Sequence, residues 1–132
     1  MKENILISLM ARNNSSYIPY FYKCIDLVEK ENKNYNINYI IFTNNNEDNT
    51  LELLKSKTSK NFKVVEKNYD KEFLELPRIS KLRYLREDFL NIIRKEKFDY
   101  LLMMDTDIIF NEIMIRKSIE LLKKNSYGAV TA

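Results

Sequence analysis

Two aspartates, Asp105 and Asp107, stand one residue apart at the end of a largely apolar segment, residues 98–104. In an extended backbone, side chains two positions apart project to the same side. Two carboxylates arranged in this way can bind one hard cation such as Mg²⁺ or Mn²⁺, whose other ligands are commonly substrate phosphates and water. The pair therefore predicts a divalent-metal site. The alternative is a chance pair in a chain that is 31% charged.

The apolar segment before the two aspartates has the composition of a strand that is buried on both faces of a parallel sheet. Open α/β sheets bind their ligands beyond the carboxyl ends of the strands. We therefore expect Asp105 and Asp107 to lie in a solvent-accessible cleft at that edge, beside the loop that follows the first strand.

Strand patterns and amphipathic helical patterns alternate along the whole chain. Strands are predicted at residues 5–10, 38–43, 62–65 and 98–104, with the start of another at 128–132. Residues 68–76 are predicted to form an irregular loop before a helix from about residue 78 to residue 95. This alternation predicts an α/β fold, an open and mostly parallel sheet with helices on both faces. The 132 residues are enough for one domain, 1–132, and too few for two.

The helix predicted from about residue 78 to residue 95 carries two arginines on its apolar side. At about 100° per residue, Arg78 and Arg86 fall in the same arc as the large apolar residues that should face the sheet. A guanidinium on an inward face costs free energy unless a carboxylate or a phosphate pairs with it. The two arginines are therefore predicted to pair with a buried aspartate, to bind a ligand phosphate, or to do both.

The residue types that are rare or absent exclude several kinds of site. The chain has no His, which excludes Ser-His-Asp catalysis and His-ligated zinc, and its one Cys excludes an internal disulfide. Its one glycine, Gly128, excludes a P-loop and a glycine-rich dinucleotide motif. The 22 basic and 19 acidic residues are scattered, which argues against a nucleic-acid partner. Any bound phosphate must be held by a metal, by Arg or Lys, or by backbone N–H groups.

The sequence contains no transmembrane segment and no convincing signal peptide. No apolar segment approaches the roughly 18 residues of a membrane span. The short apolar segment at residues 5–10 is interpreted as the first strand rather than a signal sequence. The cellular location is therefore expected to be cytoplasmic, or is left unassigned.

Three blocks of this sequence resemble the GT-A-fold glycosyltransferases, most closely the fungal capsule-associated α-mannosyltransferases. Residues 13–19, Asn-Asn-Ser-Ser-Tyr-Ile-Pro, are similar to that family's Asn-Asn-x-x-x-Leu-Pro block after the first strand. Residues 47–50 resemble its acidic block after the second strand. The third block combines residues 78–86, similar to its Arg-Ile helix, with residues 98–110, similar to its acidic strand. The family has Asn after the second Arg of its helix, where this chain has Glu87.

The resemblance implies a glycosyltransferase that binds a nucleoside-diphosphate sugar through Mn²⁺ or Mg²⁺. Asp107 would hold the metal, and Asp105 would reach the metal through water or orient the ribose. Arg78 and Arg86 would add positive charge near the diphosphate or hold the two aspartates in place. The residues implied to line the base and ribose pocket follow the first two strands: Ala11, Arg12, Asn13, Asn46 and Asp48.

Several properties stay open at this stage. The donor implied by the resemblance is GDP-mannose, with a UDP-sugar as the alternative. Because GT-A enzymes are about twice this length, the chain is expected to be a truncated, nucleotide-sugar-binding half. A glycan or glycoprotein acceptor, and any catalytic base, would then bind through or come from a missing C-terminal half. A non-catalytic nucleotide-sugar-binding module is one alternative, and a fragment of a haloacid-dehalogenase-like phosphatase is another.

Overall fold

Four parallel strands form one sheet in the computed structural model, which describes residues 1–57, 59–126 and 128–130. In chain order the strands are β1 (Asn4–Ala11), β2 (Asn36–Thr43), β3 (Phe62–Glu66) and β4 (Tyr100–Asp105). Their order across the sheet is β3-β2-β1-β4, so β1 and β2 are central and β3 and β4 are the edges. Because all the pairings are parallel, the four carboxyl ends meet at one edge of the sheet.

Different helices cover the two faces of the sheet. The helices are α1 (Ile18–Glu31), α2 (Thr50–Ser56), α3 (Lys71–Glu75), α4 (Arg78–Ile93) and α5 (Met114–Asn125). Buried side chains of α1, α2 and α5 form one apolar cluster with β1 and β2, and α4 forms a second cluster on the opposite face, with α3 beside it. The predicted α/β fold, an open parallel sheet with helices on both faces, is confirmed. None of the helices in the described part of the chain combines the length and hydropathy needed to cross a bilayer.

The two largest helices follow directly from their sequences. In α1, Pro19 lies in the first turn, where its missing N–H breaks no helical hydrogen bond. Phe21, Ile25 and Val28 then recur at helical spacing and are buried against the sheet. In α4, Pro77 occupies the N-cap position, and Leu85, Phe89 and Ile93 are four residues apart on one face, which is the face that packs on the sheet.

The prediction that the strand before the two aspartates is buried on both faces is wrong. Along β4, partly buried and exposed residues alternate, and Leu101 and Met103 are 36% and 52% exposed. The reason is topological, because β4 is an edge strand and the buried residues of α4 pack on β1 and β2 instead. The acidic pair therefore ends an edge strand with one open face.

Two further boundaries differ from the prediction. The segment 68–76, predicted as an irregular loop, contains the short helix α3, whose N-terminus is capped by Asp70 through a hydrogen bond from the backbone N–H of Phe73 (2.9 Å). Residues 128–130 do not form the predicted additional strand. The rest of that predicted strand, residues 131–132, lies outside the described residues.

Candidate functional site

A cleft of about 920 Å³ opens at the carboxyl edge of the sheet. It is lined by the ends of β1 and β4, by Asn44 directly after β2, and by side chains of α3 and α4. The parallel register places Met10 of β1 beside Asp105 of β4, so the loop after β1 and the turn after β4 are neighbours. This is the location predicted for a ligand site in an open α/β sheet.

The acidic pair lies in this cleft, as predicted. Asp105 is the last residue of β4, and a turn follows in which the backbone N–H of Ile108 donates to the carbonyl of Asp105 (3.3 Å). Thr106 is only 2% exposed, whereas Asp105 and Asp107 are both exposed and both line the cleft. The intervening residue therefore points into the protein while the two carboxylates face the ligand side.

The acidic pair can supply part of a metal site. Within the described residues, no group of three or more His, Cys, Asp or Glu side chains is arranged to hold a metal ion. A cation bound by Asp105 and Asp107 would therefore take its other ligands from water and from a bound phosphate group. Mg²⁺ and Mn²⁺ are suited to such a site, because they are commonly bound by one or two carboxylates together with substrate phosphates.

Four cationic side chains line the same cleft: Arg12, Arg78, Lys81 and Arg86. With the two aspartates they leave a net charge of two positive units in the cleft lining. Arg12 Nε donates to the carbonyl of Asn45 (3.3 Å), and Lys81 Nζ donates to the carbonyl of Leu74 (3.0 Å). The cleft is therefore electrostatically suited to an anion that carries at least two negative charges.

The prediction that Arg78 and Arg86 face inward is wrong, because both are exposed. Arg86 follows the buried Leu85, and a rotation of about 100° takes it from the sheet-facing side to the side that borders the cleft. Neither arginine lies within 4.0 Å of a carboxylate in the part of the chain that the structure describes. A buried Arg–Asp pair is thus excluded for these residues, whereas their predicted contact with a phosphate stays a prediction.

The predicted base-pocket residues separate into two groups. Ala11 and Arg12 line the cleft, whereas Asn13, Asn46 and Asp48 do not. These three connect the loop after β1 to the loop after β2. The backbone N–H of Asn13 donates to Asn46 Oδ1 (3.0 Å), and Asn13 Oδ1 accepts from the N–H of Glu47 (2.8 Å).

Asp48 has the most constrained side chain of this loop pair. Its Oδ1 accepts from the backbone N–H of Thr50 (2.9 Å), and its Oδ2 accepts from the backbone N–H of Ser15 (3.1 Å). Partial burial raises the pKa of Asp48, but the hydrogen bonds from Thr50 and Ser15 outweigh it and hold the pKa well below its usual value. The ionised carboxylate thus holds the starts of α1 and α2 together.

The cleft lining also contains residues that the sequence did not assign to the site, among them Asn14, Asn44, Phe73 and Lys81. Lys81 lies three residues after Arg78, a spacing that places both on one side of a helix. Phe73 lies in the segment predicted as a loop, and the signal for its helix is Asp70, a residue type favoured at the N-cap. Asn44 is the first residue after β2, and Asn14 lies in the block that resembles the fungal family. Their positions in the chain therefore indicate a place near the site, whereas their residue type does not.

Comparison with known proteins supports the fold and little beyond it. No family model and no curated protein matches the chain, so the resemblance to the fungal mannosyltransferases gains no support. Among solved structures, the chain is similar to residues 1–349 of S. aureus TarS, with a TM-score of 0.61 and 12% sequence identity. The match covers 96% of this chain and 33% of the TarS chain, so the chain spans about a third of that structure. The chain therefore shares its fold with part of that structure, and this fold is a Rossmann-like α/β fold.

Proposed function

We propose that this chain is the nucleotide-sugar-binding part of a metal-dependent glycosyltransferase. One observation carries the proposal: two carboxylates and four cationic side chains line a single cleft at the carboxyl edge of a parallel sheet. The glycosyltransferase-like fold supports the same reading. A diphosphate needs positive charge, and in the absence of a glycine-rich phosphate loop we assign its anchoring to a metal and these cations.

Each group has a defined role in this proposal. Asp105 and Asp107 hold the divalent cation, which when bound acts as a Lewis acid for the departing nucleoside diphosphate. Arg78, Lys81 and Arg86 on α4 face the diphosphate and stabilise the negative charge that grows on it as the glycosidic bond breaks. Because α4 is packed against the sheet, the backbone positions from which these cations extend are fixed.

The donor we propose is GDP-mannose or a UDP-sugar. The acceptor we propose is a glycan or glycoprotein, bound by residues that this chain does not contain. This division follows from length, because the chain spans about a third of the TarS structure that it resembles. The same fact favours a second candidate function, a module that binds a nucleotide sugar and does not transfer the sugar.

Calorimetry with GDP and UDP, each in Mn²⁺, in Mg²⁺ and in excess chelator, tests the proposed function. At least one nucleotide should bind in metal and lose most of its affinity in chelator. Asp107→Ala should lose most of the metal-dependent binding, whereas Asp26→Ala, which removes an exposed carboxylate on α1, should not. Tight binding in chelator, or full binding by Asp107→Ala, would show that the phosphate anchor is misassigned.

Incubation of the isolated chain with GDP-mannose and UDP-sugars separates the two candidate functions. Binding without transfer to simple glycoside acceptors is the expected result, because transfer also needs an oriented acceptor. Efficient transfer would show that the acceptor site lies within these 132 residues.

A further inference from the structure

The cleft is longer than a metal–diphosphate site alone would require. It runs along the carboxyl edge from Asp105 at the end of β4, past the end of β1, to Asn44 after β2 and Phe73 on α3. Since β1 lies between β4 and β2, the two ends are about two strand spacings apart, roughly 10 Å. A diphosphate and a ribose span a comparable distance, so a nucleobase would reach the end formed by Asn44 and Phe73.

The residues first expected to read the base are already engaged elsewhere. Asn13 and Asn46 bind each other's loop, and both oxygens of Asp48 accept backbone hydrogen bonds. None of the three lines the cleft. A base in this cleft must therefore be recognised by other side chains.

Asn44 is a buried amide with unused hydrogen-bonding capacity. It is only 4% exposed, it lines the cleft, and its Nδ2 donates to Asn45 Oδ1 (3.3 Å). Its Oδ1 accepts no hydrogen bond from the residues that the structure describes. Among the described residues, this oxygen is not one of the fully buried atoms that lack a partner, so it keeps some contact with solvent. An amide oxygen that is unpaired and accessible beside a cleft is available to a ligand donor such as a base N–H.

The aromatic ring of Phe73 is held in place by its neighbours and packs against the apolar cluster of α4. The ring stacks on Tyr69, with centroids 4.0 Å apart and an angle of 22° between the ring planes, and the edge of Tyr84 approaches it at 6.2 Å. Tyr69 is itself fixed by Asn45, which bonds its backbone N–H (3.0 Å) and its carbonyl (2.9 Å), and its hydroxyl donates to Asp88. Phe73 is half-buried and lines the cleft, as a base-stacking platform would.

From this arrangement we infer that Phe73 and Asn44 form a nucleobase subsite, in which the base stacks on the Phe73 ring and a base N–H donates to Asn44 Oδ1. The inference rests on the proposed function, because it places the other end of the same nucleotide at Asp105 and Asp107. It assigns base recognition to Asn44, after β2, and to Phe73, on α3. Asn13, Asn46 and Asp48 then have a structural role, because they join the loops after β1 and β2.

Binding of GDP, UDP and inorganic pyrophosphate in Mn²⁺ tests the subsite, because pyrophosphate reports on the metal–phosphate end alone. The unsubstituted chain should bind one nucleotide at least tenfold more tightly than pyrophosphate. Phe73→Leu should lower the affinity for that nucleotide by about tenfold, the usual effect of losing one stacked base, and leave pyrophosphate binding unchanged. Asn44→Ala should bring the GDP and UDP affinities closer together.

Two further variants control for folding and for generic aromatic effects. Phe73→Tyr retains a stacking ring and should retain nucleotide affinity. Tyr20→Leu removes an exposed ring from α1, on the opposite face of the sheet, and should change neither affinity. Thermal melts of all the variants separate a lost subsite from a damaged fold.

The outcomes distinguish this inference from the proposed function. Pyrophosphate binding without any preference for a nucleotide overturns the base subsite and leaves the metal–phosphate site intact. Equal losses of nucleotide and pyrophosphate affinity in Phe73→Leu also overturn the subsite, since they would place Phe73 at the phosphate end or in the fold. Failure of the unsubstituted chain to bind either compound overturns both proposals.

Discussion

Two sets of polar side chains lie at the same edge of this sheet and differ in how completely their hydrogen-bonding groups are satisfied. Asn13, Asn46 and Asp48 bond the neighbouring loop at 2.8–3.1 Å. Arg78 and Arg86, on α4, have no carboxylate partner among the described residues and line the cleft at this edge. Polar residues at a ligand-binding edge therefore divide into those that build the edge and those that remain available to a ligand, and residue type does not tell them apart.

The difference has a physical origin in backbone conformation. Asn13 and Asn45 have φ values of 51° and 41°, in the left-handed region where Asn is among the better-tolerated non-glycine residues. With its one glycine at position 128, the chain uses asparagine for these turns, and the side-chain amides of Asn13 and Asn45 bond the adjacent loops. The loops after β1, β2 and β3 become mutually fixed, which gives the cleft a rigid rim.

The largest effect should come from Arg78 and Arg86, which have no carboxylate partner within the described part of the chain. Arg78→Leu combined with Arg86→Leu should weaken metal-dependent nucleotide binding by about a hundredfold, near 2.7 kcal/mol if each arginine contributes tenfold. Because both side chains are exposed, the free energy of unfolding of the apo protein should change by no more than about 0.5 kcal/mol. Calorimetry and urea unfolding measure the two quantities.

Arg83→Leu is the matched control for these arginines. Arg83 lies on the same helix and borders a separate groove rather than the cleft. It should leave nucleotide affinity unchanged. An equal loss of affinity in Arg83→Leu would mean that α4 acts through its overall charge. The comparison between the hydrogen-bonded loop side chains and the available arginines would then lose its main support.

A smaller effect is expected for Asp48, and this effect is on stability rather than on nucleotide affinity. Asp48→Ala removes the acceptor of two backbone N–H groups and should lower the free energy of unfolding by about 1–2 kcal/mol, as other capping carboxylates do. The affinity for the nucleotide should stay the same once the protein is folded. Glu47→Ala removes the adjacent carboxylate, 82% exposed and 3.9 Å from Arg12, and should cost at most about 0.5 kcal/mol.

The pH dependence of stability provides a second measurement on Asp48. Its pKa is lowered in the folded protein, so its stabilisation is complete above the unfolded-state pKa of about 4 and is lost as the pH falls through the lower folded-state pKa. The difference in unfolding free energy between the unsubstituted chain and Asp48→Asn should therefore be constant from pH 7 to pH 5 and shrink below about pH 4. A difference that grows on acidification would contradict the assigned hydrogen bonds.

The sequence predicted the fold well because the fold depends on alternating apolar patterns. All four observed strands and the helix α4 lie where those patterns place them. The edge position of β4 was not predictable in this way, since an apolar segment does not reveal how many neighbours its strand will have. The resulting error, a strand buried on both faces, is visible in the exposed Met103.

The candidate site was predictable in part for a related reason. Spacing along the chain placed Asp105 and Asp107 together, because both belong to one turn. It could not show that Asp48 turns toward Ser15, 33 residues away, or that Arg86 lies one helical step outside the buried face. Hydrogen bonds between loops depend on tertiary contacts that no local pattern encodes, and these bonds decide which polar residues stay available.

The smallest expected effect concerns Thr106. It is buried and hydrogen-bonded, like the loop side chains, and it lies between the two aspartates of the cleft. Its Oγ1 lies 3.2 Å from Asn14 Oδ1, so the hydroxyl joins the acidic turn to the loop after β1. Thr106→Val keeps the shape and removes this bond, while Asn14 Oδ1 still accepts from the N–H of Arg12 (2.9 Å). The unfolding free energy should therefore fall by only about 1 kcal/mol or less, and metal-dependent nucleotide affinity should fall two- to threefold, about 0.5 kcal/mol. Thr106→Ser should restore both values; a loss of stability in Thr106→Val with no change in metal dependence would mean that the turn keeps its shape without this bond.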